Sequence, residues 1–257
     1  MSNIDQPLID TLRAARRVLV LTGAGTSSES GIPTFRDVMT GLWENFDPQQ
    51  LATPDAFMAD PELVWGWYEW RRGKVLRCQP NLAHRAIAAM QHHVGQLAVV
   101  TQNVDDLHER AGSRDVIHLH GSLHEPRCFD CGHPHALATD IPDEPEGGRR
   151  LKPPACLQCG GPVRPGVVWF GESLPQENWR RAQELAQECD VLFSVGTSSV
   201  VYPAAQLPHI AKSAGACVVQ VNPDVTGLEG TADHDLRGKA GQVLPELVRA
   251  VWGTHVS

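Results

Sequence analysis

The chain has 257 residues, 42% of them hydrophobic, enough for a large domain with a small companion around a packed core. Its formal net charge is −8 with the acidic residues dispersed, which argues against a general nucleic-acid binder and leaves room for basic protein partners. Residues 1–7 carry no basic-then-apolar leader pattern, and no stretch reaches the ~18 continuous apolar residues of a membrane span, so a cytoplasmic protein with no membrane partner is expected.

Residues 4–17 read as a helix with Ile4, Leu8, Leu12 and Ala15 on one face. Residues 18–22 are apolar and rich in β-branched side chains, as a buried parallel strand requires. They run into Gly23-Ala24-Gly25-Thr26-Ser27-Ser28-Glu29-Ser30-Gly31. Such a loop lets backbone N–H groups approach an anion with no Cβ in the way. The same residues also suit an ordinary strand-to-helix turn, because Gly-x-Gly is a weak motif without its context. Ser28 stands where the common dinucleotide fingerprint has its third glycine, and the next clear strand begins only near Leu97. A large insertion therefore follows the first loop. Residues 38–79 form it, with Trp43, Phe46, Phe57, Trp65, Trp67, Tyr68 and Trp70, and a helix from Pro61 to about Leu76.

Asn81 caps a helix over 81–93. Strands are expected at 97–101 and 116–120, an extended segment at 167–170, and buried strands at 191–195 and 216–221. Helices are expected at 178–188, 202–213 and 243–252. Strands alternating with helices imply an α/β fold, a Rossmann-like doubly wound parallel sheet, in which ligands bind beyond the carboxyl ends of the strands. Those ends carry Gly23-Ala24-Gly25, Gln102-Asn103-Val104-Asp105, His120-Gly121, Gly196-Thr197-Ser198-Ser199 and Asn222-Pro223-Asp224. Polar or glycine-rich clusters at every equivalent place favour a ligand crevice over a set of unrelated turns.

Four of the seven cysteines form Cys128-x2-Cys131-x24-Cys156-x2-Cys159. Four thiolates close a tetrahedral zinc site and leave no position for water, so one structural ion is expected in a small zinc-ribbon domain. His133 and His135 are alternative ligands that a second complete cysteine pair makes unnecessary. Cys78, Cys189 and Cys217 read as ordinary thiols.

Taken in order, the stretch from Gly23 to Arg36, Thr101-Gln102-Asn103-Val104-Asp105, His118-Leu119-His120-Gly121, the four cysteines, Val168-Trp169-Phe170-Gly171-Glu172, Gly196-Thr197-Ser198 and Val221-Asn222-Pro223 resemble the sirtuins over nearly the whole chain. Thr34 replaces an Asp common in that family, and Val104 stands where Ile is commoner. The resemblance implies an NAD-dependent protein lysine deacylase, which passes the acyl group to ADP-ribose and releases nicotinamide. It implies His120 as the general base on a ribose hydroxyl, a role that suits an imidazole titrating near neutrality. Asn103 would join it in the catalytic centre, with Asp105 orienting the nicotinamide carboxamide. Further NAD contacts are implied at Gly23, Ala24, Gly25, Thr26, Ser28, Ile32, Thr34, Phe35 and Arg36. More follow at Gln102, Val104, Gly196, Thr197, Ser198, Asn222, Pro223, Asp224 and Ala240. Val168, Phe170, Gly171 and Glu172 resemble the segment that pairs with substrate backbone as an added strand. His118 is expected to be structural.

Tyr68 and Arg71 share a face of the helix that opens at Pro61. A phenol and a guanidinium converging on one point make a carboxylate receptor. Tyr-x-x-Arg at this place resembles the sirtuin subgroup that removes succinyl, malonyl and glutaryl groups, with acetyl still admitted. On spacing alone, an amphipathic surface helix with a packed Tyr and a snorkelling Arg is the alternative. The implied division is an NAD-binding domain of 1–37, 80–122 and 165–257, a helical module at 38–79 and a zinc module at 123–164. The partners expected are acylated lysines of proteins, with the chain a monomer that takes no nucleic acid. Mono-ADP-ribosyl transfer from the same NAD site is the competing activity, and a zinc-ribbon module for nucleic acid is the competing non-enzymatic one.

Overall fold

The computed structural model describes residues 4–32, 47, 51–137, 145 and 148–256. Six parallel strands form the main sheet: β1 (Arg17–Thr22), β2 (Gln96–Thr101), β3 (Val116–His118), β6 (Val191–Val195), β7 (Cys217–Asn222) and β8 (His234–Arg237), in the order β3-β2-β1-β6-β7-β8. The order reverses between β1 and β6. In a doubly wound sheet that reversal opens a crevice at the carboxyl ends of the two strands.

The alternation of side chains along β1 builds two cores. Val18 and Val20 point to one face, where Leu8 and Leu12 of α1 (Gln6–Ala14), Ile87 of α5 (Leu82–Met90) and Leu244, Leu247 and Val248 of α9 (Ala240–Trp252) cover them. Leu19 and Leu21 point to the other face, against Ala182 and Ala186 of α7 (Gln176–Glu188) and Leu207 and Ala211 of α8 (Leu207–Ser213). Both faces of the central strands are dry, which is why they read as unbroken apolar runs.

The large insertion and the cysteine segment build a third core together. Helices α3 (Pro54–Ala59) and α4 (Pro61–Arg77) bring Phe57, Val64, Trp67 and Tyr68 against Leu123, Val163, Val167 and Trp169. Leu123 belongs to β4 (Gly121–Cys128), which pairs antiparallel with β5 (Val163–Val167). The boundaries at 122/123 and 164/165 read from sequence fall inside these two strands. Helix α4 is buried almost all round from Leu63 to Val75, and Gly66 lets the chain at Arg149 pass: a Cβ there would lie 2.1 Å from the Arg149 carbonyl.

Helix ends differ from the sequence expectations by a few residues, for local reasons. Asp5 caps α1, with its carboxylate accepting from the N–H of Leu8. The glycine-rich stretch winds into the short helix α2 (Ala24–Ser28). The strand expected over 116–120 stops at His118, because the chain must turn at His120-Gly121 to enter β4. Gly121 has φ +72°, and a Cβ there would lie 2.1 Å from the Gly166 carbonyl, so only glycine makes this turn. The helix expected over 202–213 is a short 3-10 turn, Ala204–Gln206, followed by α8. The closing helix begins at Ala240 and carries Pro245 within it.

Candidate active site

The ends of β1 and β6 dock backbone to backbone. The N–H of Gly23 donates to the Val195 carbonyl at 3.0 Å, and that of Gly25 to the Gly196 carbonyl at 2.8 Å. The Thr26 hydroxyl also donates to the Val195 carbonyl, at 3.1 Å. Gly196 sits at φ +59°, and a Cβ on it would lie 2.4 Å from the Thr26 nitrogen. The glycines therefore serve first to let two loops touch. Two of the N–H groups that the anion-cradle reading would use are already spent inside the protein.

The other strand ends are tied to the same point. The Gln102 amide donates to the Thr197 hydroxyl at 3.0 Å, and the Asn222 amide to the Thr197 carbonyl at 3.0 Å. Asn222 in turn accepts from the N–H of Asp224 at 3.1 Å. The Asn103 amide donates to the Gly23 carbonyl at 3.1 Å and to the Ser27 hydroxyl at 3.0 Å. The N–H of Gly241, next to Ala240, donates to the Glu29 carboxylate at 2.9 Å. Gly23, Gly25, Thr26, Gln102, Asn103, Gly196, Thr197 and Asn222 are thus tied together at the carboxyl ends of the strands, with Ala24, Ser28 and Ser198 beside them in the chain. Val104 and Ile32 pack with the third core. Thr34, Phe35 and Arg36 lie outside the described residues.

His120 follows β3 and is half-buried. Its Nδ1 lies 3.0 Å from the Gln102 carbonyl. A carbonyl only accepts, so Nδ1 carries the proton, and the neutral ring keeps its lone pair at Nε2. Burial pulls the pKa below the ordinary histidine value, against a smaller rise from that hydrogen bond. His120 is therefore a neutral imidazole at pH 7 with a fixed tautomer, bonded to the residue that precedes Asn103.

His118 is anchored differently. Its Nε2 lies 2.7 Å from the Glu109 carboxylate and its Nδ1 3.1 Å from the Asn103 carbonyl. Burial, the largest single influence, lowers its pKa, but the bond to Glu109 and its charge, the Asn103 carbonyl and the Asp105 charge together outweigh it, and the net shift is upward. It steadies the Asn103 backbone, as a structural residue would. Asp105 is buried, which raises its carboxyl pKa; bonds from the Leu107 N–H and from Ser27 oppose that rise.

Behind Asn103 lies a layer that the sequence did not single out. The Ser27 hydroxyl reaches His84 Nε2 at 3.4 Å, and the rings of His84 and His108 meet edge to face with centroids 4.8 Å apart. His108 Nε2 is 3.0 Å from the Thr22 hydroxyl, which donates to the Thr101 hydroxyl at 2.9 Å. Burial pushes His84 down to about 4 and His108 well below its ordinary value, so both are neutral. The one signal available was His84 at the third position of the helix capped by Asn81, where the two residues form a reciprocal capping box.

The four cysteine sulfurs all lie within 4.8 Å of one another, with Cys128 and Cys159 3.4 Å apart and Cys131 and Cys156 3.7 Å apart. A tetrahedral zinc with Zn–S bonds of ~2.3 Å needs sulfurs about 3.8 Å apart, so the set fits the ion. Each pair sits in the same kind of turn. The N–H of Gly132 donates to the Cys128 carbonyl and that of Gly160 to the Cys156 carbonyl. Backbone N–H groups of Gln158 and Gly161 point at the sulfurs of Cys156 and Cys159, which stabilises thiolates.

Along 168–172, the N–H of Val168 donates to the His120 carbonyl at 2.8 Å and that of Phe170 to the Ala52 carbonyl at 2.9 Å. This segment therefore couples the imidazole to the third core, while the Phe170 side chain is 52% exposed. Glu172 accepts from Arg164 at 2.9 Å and from the Trp169 N–H at 2.8 Å. On α4, Tyr68 is 2% and Arg71 6% exposed, which excludes a snorkelling arginine on a surface helix. The Arg71 guanidinium lies 5.1 Å from the centre of the Trp67 ring.

The sequence model of the Sir2 family matches residues 23–203. This chain belongs to the Sir2 family. The sirtuin resemblance read from the motifs is thereby confirmed over most of the protein. A relative from Methylococcus capsulatus, described as an NAD-dependent protein deacylase, is 61% identical over 244 residues, which cover 95% of this chain and 96% of that one. A solved complex of a Sir2 homologue with NAD is 49% identical, with a TM-score of 0.87, covering 97% of this chain and 94% of that chain. A solved Sir2–p53 peptide–NAD+ complex is 31% identical, with a TM-score of 0.81, over 97% and 99% of the two chains. The Sir2 fold, with its parallel sheet and cysteine cluster, is the one described above.

Proposed function

We propose that this protein is an NAD-dependent protein lysine deacylase that moves an acyl group from lysine to ADP-ribose and releases nicotinamide. The single observation that carries the reading is His120, a neutral imidazole whose tautomer the Gln102 carbonyl fixes. It stands at the edge of a crevice whose strand ends are hydrogen-bonded to one another. When bound, NAD supplies a ribose carbon able to accept an oxygen once nicotinamide leaves. His120 takes a ribose hydroxyl proton at Nε2. Asn103 and Asp105 orient the carboxamide end. The residues at 23–28, 196–198 and 222–224 hold the remainder of the dinucleotide, together with Ile32, Gln102, Val104, Ala240 and the Thr34 to Arg36 stretch. Val168, Phe170, Gly171 and Glu172 carry the substrate side. The N–H groups of Val168 and Phe170 are committed within the protein, so substrate backbone bonds go to the other main-chain groups of the segment.

Zinc fits the four thiolates and would fasten the two ends of β4 and β5. No described helix is long and apolar enough to cross a membrane. The acidic net charge supports a protein that acts on acylated proteins and takes no nucleic acid, and the gathering of four cysteines as a thiolate set supports a cytoplasmic setting.

For the acyl group, the buried Tyr68 and Arg71 support acceptance of succinyl, malonyl and glutaryl lysine beside acetyl. A buried guanidinium favours an anionic ligand far more than an exposed one does. The test is NAD-dependent turnover of one peptide carrying each of the four acyl groups. Arg71→Met should lower kcat/KM for succinyl at least tenfold more than for acetyl. Equal losses would remove the anion receptor, and no acyl-ADP-ribose product from any peptide would remove the deacylase.

A further inference from the structure

Tyr68 and Trp169 meet inside the third core, each 2% exposed. The indole N–H of Trp169 donates to the Tyr68 hydroxyl oxygen at 3.0 Å. An indole has a donor and no acceptor, so the direction of this bond is not in question. A phenol oxygen that accepts on one side must turn its own proton to another side. Burial also drives the Tyr68 pKa well up, against the opposing pull of Arg71, so the proton stays on.

The indole is held from several directions. The Arg164 guanidinium lies 3.4 Å from the centre of its ring, and Phe57 packs against it with centroids 5.4 Å apart. Arg164 donates to the Val167 carbonyl at 3.0 Å and to Glu172 at 2.9 Å. The same Glu172 oxygen accepts the backbone N–H of Trp169. Carboxylate, guanidinium, indole and phenol form one chain of contacts, and its last member is the group that would meet the acyl chain.

We propose that Trp169 is a positioning residue for acyl specificity: its N–H occupies the Tyr68 oxygen, so that the phenol presents its proton, beside Arg71, to the carboxylate of a dicarboxylic acyl-lysine. The proposal rests on Tyr68 and Arg71 being the acyl receptor. Without the indole donor, the hydroxyl is free to rotate and turn a lone pair toward the carboxylate. That orientation repels an anion and leaves a neutral acetyl group unaffected.

Trp169→Phe deletes the N–H and keeps an aromatic ring between Arg164 and Phe57. Steady-state kinetics at saturating NAD compare one peptide bearing acetyl- or succinyl-lysine. One correctly aimed hydrogen bond corresponds to about a threefold to tenfold change, so the succinyl KM should rise by that factor relative to the acetyl KM, with the kcat ratio unmoved. A purely structural role would shift both substrates together. Arg71→Met runs in parallel. If Arg71→Met is selective and Trp169→Phe is not, the positioning role is overturned and the receptor stands. If neither is selective, the receptor itself falls, and the proposal with it. Should Trp169→Phe not fold, Arg164→Lys decides. It keeps the charge opposite Glu172 and gives up the flat stack on the indole, so it should move the same ratio; equal change on both substrates overturns the proposal.

Discussion

Replacing His84 by Gln should make this protein markedly less sensitive to acid. His84 is fully buried, with its Nε2 near Ser27 and its Nδ1 accepting from the N–H of Asn81 at 3.3 Å. Burial lowers its pKa from 6.5 to about 4. The unfolded chain therefore binds a proton near 6.5 that the folded protein refuses until about 4. Between those values the unfolded state holds more protons, so stability falls as pH falls. The contribution is fully present above 6.5, and its loss is complete near pH 4. Each tenfold rise in proton concentration across that window removes about 1.36 kcal/mol, so by pH 5 this one group accounts for about 2 kcal/mol of lost stability relative to pH 7.5. Gln cannot titrate, and at the third position of a capped helix it can still reach the cap backbone. Urea unfolding at pH 7.5 and pH 5 should therefore show a smaller drop for His84→Gln than for the wild type, by about 2 kcal/mol. His108, which is also held neutral, keeps its own share in both proteins. Identical drops in the two proteins would show that His84 is not the buried neutral group described.

His120→Ala should abolish deacylation while leaving the thermal unfolding midpoint within a few degrees of the wild type, because among the described residues the half-buried ring makes one hydrogen bond, to the Gln102 carbonyl. The acid limb of the wild-type kcat/KM profile should lie below the ordinary histidine value, since burial lowers the His120 pKa; a limb above 6.5 would contradict the environment described. Cys156→Ser should release zinc, measured by metal analysis, and loosen β4 and β5. Structural zinc sites supply on the order of ten kcal/mol of folding free energy, so the unfolding should be evident in hydrogen exchange of the third core before the main sheet.

What the sequence made legible follows from how far each signal reaches. Residues 18–22, 191–195 and 216–221 are buried on both faces, so their strands read directly from apolar runs. The cysteine spacing and the Asn81 cap are local devices and read just as directly. β8 was missed because it is a four-residue edge strand with one buried side chain, Leu236. β4 and β5 were absorbed into the cysteine module because Pro126, Pro165 and Gly166 interrupt any alternation. The candidate site divides in the same way. Its leading edge lies at strand ends, where polar clusters stand out against apolar strands. Its supporting layer of Ser27, His84 and His108 is assembled by tertiary contact between separate elements, and no spacing in the chain announces that. Arg71 shows the limit from the other side: Tyr-x-x-Arg fits a surface helix and a buried one equally, and only the enclosure of α4 by the third core decides between them.

The same hydrogen bonds both close the sheet's switch point and set the candidate chemistry. Gly25 reaches Gly196, Asn103 reaches Gly23, Gln102 reaches Thr197, and His120 reaches Gln102. Each of these bonds joins two groups of the protein itself. The imidazole tautomer and the Asn103 amide are therefore set when the strands come together, and a dinucleotide entering the crevice meets groups already oriented. Preorganised groups do not lose their conformational freedom at the moment of binding, which is where a flexible site would lose affinity. The 168–172 segment is tied into this framework by a main-chain bond from Val168 to the His120 carbonyl. That bond makes the 168–172 segment a mechanical link between the third core and the imidazole. Changes in the third core should consequently reach the chemistry through the position of His120, and changes in the main sheet through its tautomer.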